Sequence, residues 1–544
     1  MKKYICEGLA DYLAKDVAPW HMPGHKRKYN TDQALSLAYK MDVTEVPGTD
    51  DLHHPEDMIL KSQKELARIY GTYASYYMVN GSTGGILAAV GAVVQQARGR
   101  LQNPMVSQSE SEMQEPMADQ DTFNPQIIIA RNCHKSVYNA VQLFNLKPIY
   151  IEPQFIDEIT HCPKMESEQK SGAQSTFGMG LEEKNAPHIC GGILPQQVKE
   201  LVEENPDVVA VVITSPTYEG LVSDVAGIKK VLEPYQIPLI VDEAHGAHLT
   251  FIDELPRSAV DCGGDIVVQS LHKTLPALTQ SAVLHVNNPV YDEAVRKYLS
   301  VFMSSSPSYV MLCSMESAVA CAEEIAQSER GFNDYVRALK EFRCKCENFR
   351  NLRLLELPQR QVDEKIVGSQ AMVSVESQVL DGQDISRLVI YTCNEHIHLT
   401  GQQLENELRH NHNIQVEMSG LDYVVLISTF ADEEQDFDRL YEALKQMDDQ
   451  MQDHATELMA CKTRDDVEEL ITYPTRDDVA EFATAHSSQE SLEVLRDQIG
   501  TRSKSNIYVY PPGSYIVTEG EVITAEAVNT LEQLAGAGKK IYGV

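Results

Sequence analysis

Six short apolar runs, separated by helical patterns and turn residues, constrain the fold of this chain more than any other feature. They lie near residues 127, 149, 208, 239, 266 and 282. Val208–Thr214 and Leu239–Val241 read as buried strands, and helical patterns fall near 195–204 and 226–234. Strands alternating with helices at this spacing predict an α/β architecture with a mostly parallel central sheet and crossover helices. Five of the six runs lead into a polar or glycine-bearing loop, while the run at 282 leads into Asn287–Asn288. Ligands of such sheets bind at the carboxyl ends of the strands, so those loops are where chemistry is expected.

Two of the strand ends carry groups that suit one another. The run Leu239–Val241 ends in Asp242, and Ile266–Val268 leads through Ser270 and His272 to Lys273, thirty-one positions further on. A lysine just past a buried strand suits a Schiff-base nucleophile, because burial and nearby cations favour its neutral amine. A carboxylate on the neighbouring strand could pair with a pyridinium nitrogen, the arrangement that binds pyridoxal 5'-phosphate (PLP). Taken alone, Ser270-x-His272-Lys273 equally describes a surface loop. Gly81, Ser82, Thr83 and Gly84 precede an apolar helix, where free backbone N–H groups and the helix dipole make an anion site; an ordinary N-cap is the other reading. His134 follows the strand Ile127–Ala130 and is placed to stack on a planar cofactor, to act as acid or base, or to cap the next helix.

Composition excludes several classes. The net charge of −34 over 544 residues argues against nucleic acid or an anionic membrane as partner. No window approaches the roughly 18 uninterrupted apolar residues of a membrane span. The first residues lack the apolar core of a signal peptide, and the eleven cysteines are scattered without a C-x-x-C pair, so a reducing cytoplasm is expected. No metal site is read. The chain divides into an N-terminal segment (1–40), a major domain (41–330) and a C-terminal α+β part (331–544), with strand patterns near 371–376, 387–391 and 423–429 and a short helix at the end. Polar, biased stretches at about 100–124 and 154–188 read as surface insertions.

Ten motifs follow in a fixed order: HMPGHK (21–26), TEVPGTDDLHHP (44–55), NGSTGG (80–85), RNCHKS (131–136), SPTYEG (215–220), VDEAHGAH (241–248), SLHKT (270–274), TQSAVLH (279–285), SPSY (306–309) and YPPG (510–513). Together they resemble the bacterial ornithine/lysine/arginine decarboxylases, PLP-dependent enzymes of the aspartate-aminotransferase fold (fold type I). The resemblance implies that Lys273 carries the cofactor, Asp242 pairs with its ring nitrogen and His134 stacks on the ring. It implies that Ser82, Thr83, Ser270 and His272 hold the phosphate, with His245 on the ring and substrate side. It also implies a homodimer or higher homo-oligomer in which Ser306, in the Ser304–Ser308 turn, reaches the neighbour's cofactor; capping of the helix near Tyr309 is the alternative. The substrate implied is a small basic amino acid, giving cadaverine, putrescine or agmatine with carbon dioxide. Ser514-Tyr515 after YPPG and Met315-Glu316 after SPSY depart from the family pattern, as do the two insertions. HMPGHK starts at residue 21, which leaves no room for the wing domain of the larger relatives. A carboxylate is needed for the distal cation, and Glu519 and Glu521 are candidates by position. An aminotransferase would instead need an arginine for the α-carboxylate, for which Arg387 or Arg409 could serve; a non-catalytic PLP-binding relative is the third class.

Overall fold

The computed structural model describes residues 1–15, 18, 20–23, 25–27, 35–102, 125–156, 189–357, 382–393, 399–460, 492–510, 515–536 and 539–544. The expected strand at 371–376 and nearly all of both expected insertions lie outside these residues.

A seven-stranded sheet organises the first half of the chain. Its strands are β1 (Ala74–Met78), β2 (Gln126–Ala130), β3 (Lys147–Ile151), β4 (Val208–Thr214), β5 (Leu239–Asp242), β6 (Ile266–Ser270) and β7 (Ala282–Val286), in the spatial order β1-β7-β6-β5-β4-β2-β3. The six expected strands are all present, and β1 is the seventh. Pairs β2–β3, β2–β4, β4–β5 and β5–β6 are parallel, while β7 runs antiparallel to both β6 and β1. This reversal explains why β7 alone ends in an asparagine pair: its first residue, not its last, lies at the ligand edge. Strands β5, β6 and β7 are buried at every position, as a sheet covered on both faces requires.

Helices α1 (Tyr4–Ala14), α2 (Met58–Tyr70), α3 (Gly81–Gln102) and α4 (Lys135–Leu143) come from the first part of the chain. In α2 the buried positions Met58, Ile59, Ser62, Gln63, Leu66, Ala67 and Tyr70 repeat at helical spacing and form one inward stripe. Its start is held by Asp50, whose carboxylate accepts the N–H groups of Asp51, Glu56, Asp57 and Ile59 at 2.9–3.0 Å. Helix α3 lies so close to β6 that a Cβ on Gly85 would sit 2.8 Å from Val268 Cγ1. Further on, α5 (Tyr309–Gln327) presents buried Glu316, which accepts from the N–H groups of Ile5 (3.0 Å) and Cys6 (2.9 Å) and from the Ser62 hydroxyl (2.6 Å). The longer glutamate at this departure from the family pattern thus anchors α1.

Beyond residue 331 the described chain forms two further sheets. Strands β8 (Leu352–Leu354), β9 (Arg387–Thr392), β10 (Met418–Ser419) and β11 (Tyr423–Ile427) form an antiparallel sheet in the order β8-β9-β11-β10. Residues 382–383 pair with 221–222, and Asp384 N–H donates to Gly220 O at 2.8 Å, so this sheet is stitched to the loop after β4. Strands β12 (Ile507–Tyr510), β13 (Tyr515–Val517) and β14 (Lys540–Tyr542) make the third sheet, with helix Ala525–Gly536 beside it. The chain therefore ends in a strand, not in the expected helix: Tyr542 pairs with Tyr508 on the open side of β12. This unit rests on the major sheet through Tyr515 against Tyr138 (ring centroids 4.5 Å apart) and the Tyr150–Thr518 hydroxyl pair at 3.0 Å.

Candidate active site

One edge of the large sheet gathers the chemistry. In register, Met78 of β1 stands opposite Ala282 of β7, and Ala282 opposite Ser270 of β6. The N-terminus of α3 therefore lies beside Ser270 and Ser281, with Gln280 Nε2 donating to Val79 O at 2.9 Å across the gap. Asp242 is fixed at the end of β5 because Glu243 N–H donates to Val268 O and Ser215 N–H to Asp242 O, at 2.9 and 3.1 Å. Asp242 and Lys273 thus stand at the carboxyl ends of adjacent parallel strands, as their spacing implied.

Lys273 lies on the short helix Leu271–Thr274, and its Nζ is 2.9 Å from His245 Nε2. Burial lowers the pKa of this amine; Asp242 opposes the shift and Arg387 adds to it. Burial raises the Asp242 carboxyl, with Lys273 opposing, and its Oδ1 accepts from Ala244 N–H at 3.2 Å. Burial, then Lys273, Arg387 and the other histidines, hold His245 neutral well below the ordinary histidine range. Tyr218, from the loop after β4, leans over the His245 ring at 4.3 Å, with Lys273 Nζ 5.7 Å from the centre of its own ring.

His134 caps α4: its Nδ1 accepts from Ser136 N–H at 3.3 Å. The capping role leaves Nε2 uncommitted by that bond, and burial followed by the Lys273 charge pushes the ring down to about 4. The two readings of His134 are compatible, since a capped ring is held in one orientation.

The structure also supports an anion site. The Oγ atoms of Ser270 and Ser281 and Oγ1 of Thr274 are buried with no hydrogen-bond partner among the described residues. Buried orphan hydroxyls are costly unless something fills them. They adjoin the α3 N-terminus, whose first N–H groups have no partner within the helix. Ser82 is half-buried there, and Thr83 is exposed. His272 turns its Nδ1 to Ser281 O at 2.8 Å. Hydroxyls for a phosphate, a buried carboxylate for a pyridinium and a depressed lysine for an aldehyde together fit PLP.

Ser306 does not join this group within the chain. It lies in an exposed turn, where its N–H donates to Ser304 Oγ at 3.2 Å, beside His53, whose Nε2 meets Ser304 O at 2.9 Å. Ser308, as the capping alternative had it, accepts from Met311 N–H at 3.3 Å and caps α5. Of the two arginines, Arg409 is a surface residue paired with Glu405 and Gln415, whereas Arg387 is fully buried beside His245. Among the acidic candidates, Glu521 is taken by Arg131 (2.9 and 3.3 Å), and Glu519 is exposed. Thr274, Ser281 and Tyr218 were inside quoted motifs without an assigned role. Glu417, which accepts from Tyr218 OH at 2.9 Å, had no sequence signal.

Comparison with known proteins decides the family. The Orn/Lys/Arg decarboxylase major domain matches residues 5–100 and 113–436. The chain belongs to that family. It is a PLP-dependent amino-acid decarboxylase. The break in the match falls inside the first expected insertion; the second is spanned without one. An arginine decarboxylase of Bacillus subtilis is 28% identical over 550 residues, 98% of this chain and 94% of the relative. The inducible lysine decarboxylase of Escherichia coli K12 is 27% identical over 242 residues, 41% of this chain and 29% of the relative. Among solved structures, the lysine decarboxylase of Francisella novicida superposes with a TM-score of 0.68 at 18% identity, over 99% of this chain and 79% of that one. The constitutive lysine decarboxylase of E. coli gives 0.66 at 18% identity, over 100% and 80%. At that identity the structures speak for the fold alone, and the decarboxylase shares their α/β architecture. Among its described residues no helix is long and apolar enough to cross a membrane.

Proposed function

We propose that the decarboxylase acts on arginine, releasing carbon dioxide and agmatine. One observation carries the choice among basic amino acids: relatives named arginine decarboxylase match 98% of the chain, while the E. coli relative named lysine decarboxylase matches 41%. When bound, PLP supplies an electron sink for the bond pair released as the α-carboxylate departs. In this reading Lys273 holds the cofactor by its aldehyde carbon, and Asp242 keeps the proton on the pyridine nitrogen. His134 covers one ring face. Ser82, Thr83, Ser270 and His272 hold the phosphate, helped by the orphan hydroxyls of Thr274 and Ser281. His245 stands against Lys273 Nζ and is the nearest group able to exchange a proton with it. Tyr218 lies alongside, and its hydroxyl leads to Glu417. Because Arg131 already neutralises Glu521, Glu417, bonded to a neutral phenol, is the better carboxylate for the distal guanidinium.

The test is product analysis. Purified protein loaded with PLP is given arginine, lysine and ornithine separately, and the amines are identified. Agmatine as the main product supports the reading, and cadaverine or putrescine overturns it. Lys273→Ala should remove both activity and the visible absorbance of lysine-bound cofactor. A borohydride-fixed adduct on another lysine would show the assignment to be wrong. Glu417→Gln should raise KM for the favoured substrate while the protein still loads PLP.

A further inference from the structure

Arg387 heads the fully buried side chains of the described residues. It begins β9, yet its side chain passes over Gly220 toward the loop after β5. Gly220 has φ +88°, and a Cβ there would lie 2.7 Å from Arg387 Cγ and 2.9 Å from Asp384 O, so glycine leaves room for this path. Nη2 donates to His245 O at 2.9 Å and stands 3.4 Å from His245 Nδ1. Nε and Nη1 have no hydrogen-bond partner among the described residues. The neighbouring Asp384 is shared with His248, whose Nε2 is 3.2 Å from its carboxylate. A buried cation with so few bonds is expensive to keep, which calls for a role.

We propose that Arg387 is a positioning residue that fixes the tautomer of His245 and thereby presents Lys273 as a free amine to the cofactor aldehyde. The inference rests on Lys273 being the lysine that carries PLP. A guanidinium has five donors, no acceptor, and keeps its proton. The nitrogen facing it, His245 Nδ1, must offer a lone pair. A neutral imidazole with a bare Nδ1 carries its proton on Nε2, and Nε2 is the atom 2.9 Å from Lys273 Nζ. That N–H requires an acceptor, and only the uncharged amine has a lone pair. The other tautomer and the imidazolium would each set an N–H against the guanidinium.

The remaining charged groups felt by Lys273 are Asp242 at the end of β5 and Glu417 from the second sheet, both of which favour the ammonium. His134, before α4, feels the Lys273 charge and is held neutral. Arg387 acts against the two carboxylates, alongside burial. In loading, the free amine adds to the aldehyde carbon, and the aldehyde oxygen departs as water with both amine hydrogens.

The test uses the full chain stripped of PLP and then given PLP, following growth of the visible band against pH. Borohydride mapping of the adduct to Lys273 is done first; an adduct elsewhere defeats the assignment of Lys273 and is seen separately. With the adduct at Lys273, Arg387→Met should move the midpoint of the loading rate upward by about one pH unit, a roughly tenfold slowing below it. Arg387→Lys, which keeps the charge, should return the midpoint toward that of the parent. Histidine-selective ¹⁵N spectra, assigned with His245→Gln, should show the parent His245 protonated on Nε2. An unchanged midpoint in Arg387→Met, or Arg387→Lys behaving like Arg387→Met, overturns the proposal. If Arg387→Met does not fold, the parent spectrum decides: a proton on Nδ1 overturns it, and one on Nε2 upholds it.

Discussion

Asp242 can serve a pyridinium only as an anion, yet burial favours its neutral acid; the Ala244 N–H counters that tendency, as does Lys273 whenever it carries a proton. Asp242→Asn keeps the shape and loses the charge. Activity should fall by several orders of magnitude, each about 1.4 kcal/mol on the barrier being tenfold, while PLP still loads. Near-parental turnover would mean the carboxylate has another task. A second consequence concerns acid. Burial pushes His285, between Ser75 and Gln269, down to about 3, and His134 to about 4. The unfolded chain protonates such rings near about pH 6.5. Between that value and the folded pKa the unfolded state binds more protons, so stability falls as pH drops through this window and levels off below it. Urea midpoints measured from about pH 7 to about pH 4 should fall, and His285→Gln should lose about 2–3 kcal/mol less across the window. Parallel curves for the two proteins would contradict this. At this scale Asp242 was legible as a candidate because it directly follows an apolar run, and Lys273 and His134 because each lies a few residues past one. Arg387 was named only as the clamp of an alternative enzyme, and Glu417 not at all, because their place depends on how a second sheet folds back onto the first.

Asp50 shows how one carboxylate can define an element. It sits before α2 and binds four backbone N–H groups, including that of Ile59 inside the helix. Asp50→Ala would strand the buried Ile59 N–H and free three partly exposed donors, and should cost about 2 kcal/mol of unfolding free energy, read from denaturant titration. A loss under about 0.5 kcal/mol would show that water replaces the carboxylate freely. The alternation of strand and helix made β2 to β7 readable, but the reversed direction of β7 was visible only as an exception in the loop chemistry. Its partner β1 was partly hidden, since Tyr76-Tyr77-Met78 runs directly into the glycine turn and reads as a strand end. Residues 157–188 leave and rejoin the described chain at a two-stranded ladder, Phe155 opposite Cys190 and Ile156 opposite Ile189. The two ends are therefore already adjacent, and a short Gly/Ser bridge in place of 157–188 should leave PLP loading intact. A soluble, folded deletion unable to load PLP would refute that expectation.

At the scale of the whole molecule, the Ser304–Ser306 turn stands exposed on the single chain. We propose that it serves a partner's cofactor across a two-fold interface. Ser308 caps α5, so the probe must spare it. Ser306→Trp and Lys273→Ala, each inactive alone, should regain activity when unfolded together and refolded, because a mixed dimer rebuilds one intact site. Mixed dimers that form without recovered activity would rule the shared site out. The domain scheme read from the sequence could not anticipate how the third sheet leans on α4, because that contact is made by tyrosines scattered over hundreds of residues. The anchoring of α1 has a consequence for biosynthesis. The N–H groups of Ile5 and Cys6 find their acceptor in Glu316, more than three hundred positions later. Translation passes α1 long before it reaches Glu316, so those two N–H groups must find other partners in the interval. A segment made early is thus capped late, and water has to hold those two donors until the glutamate arrives.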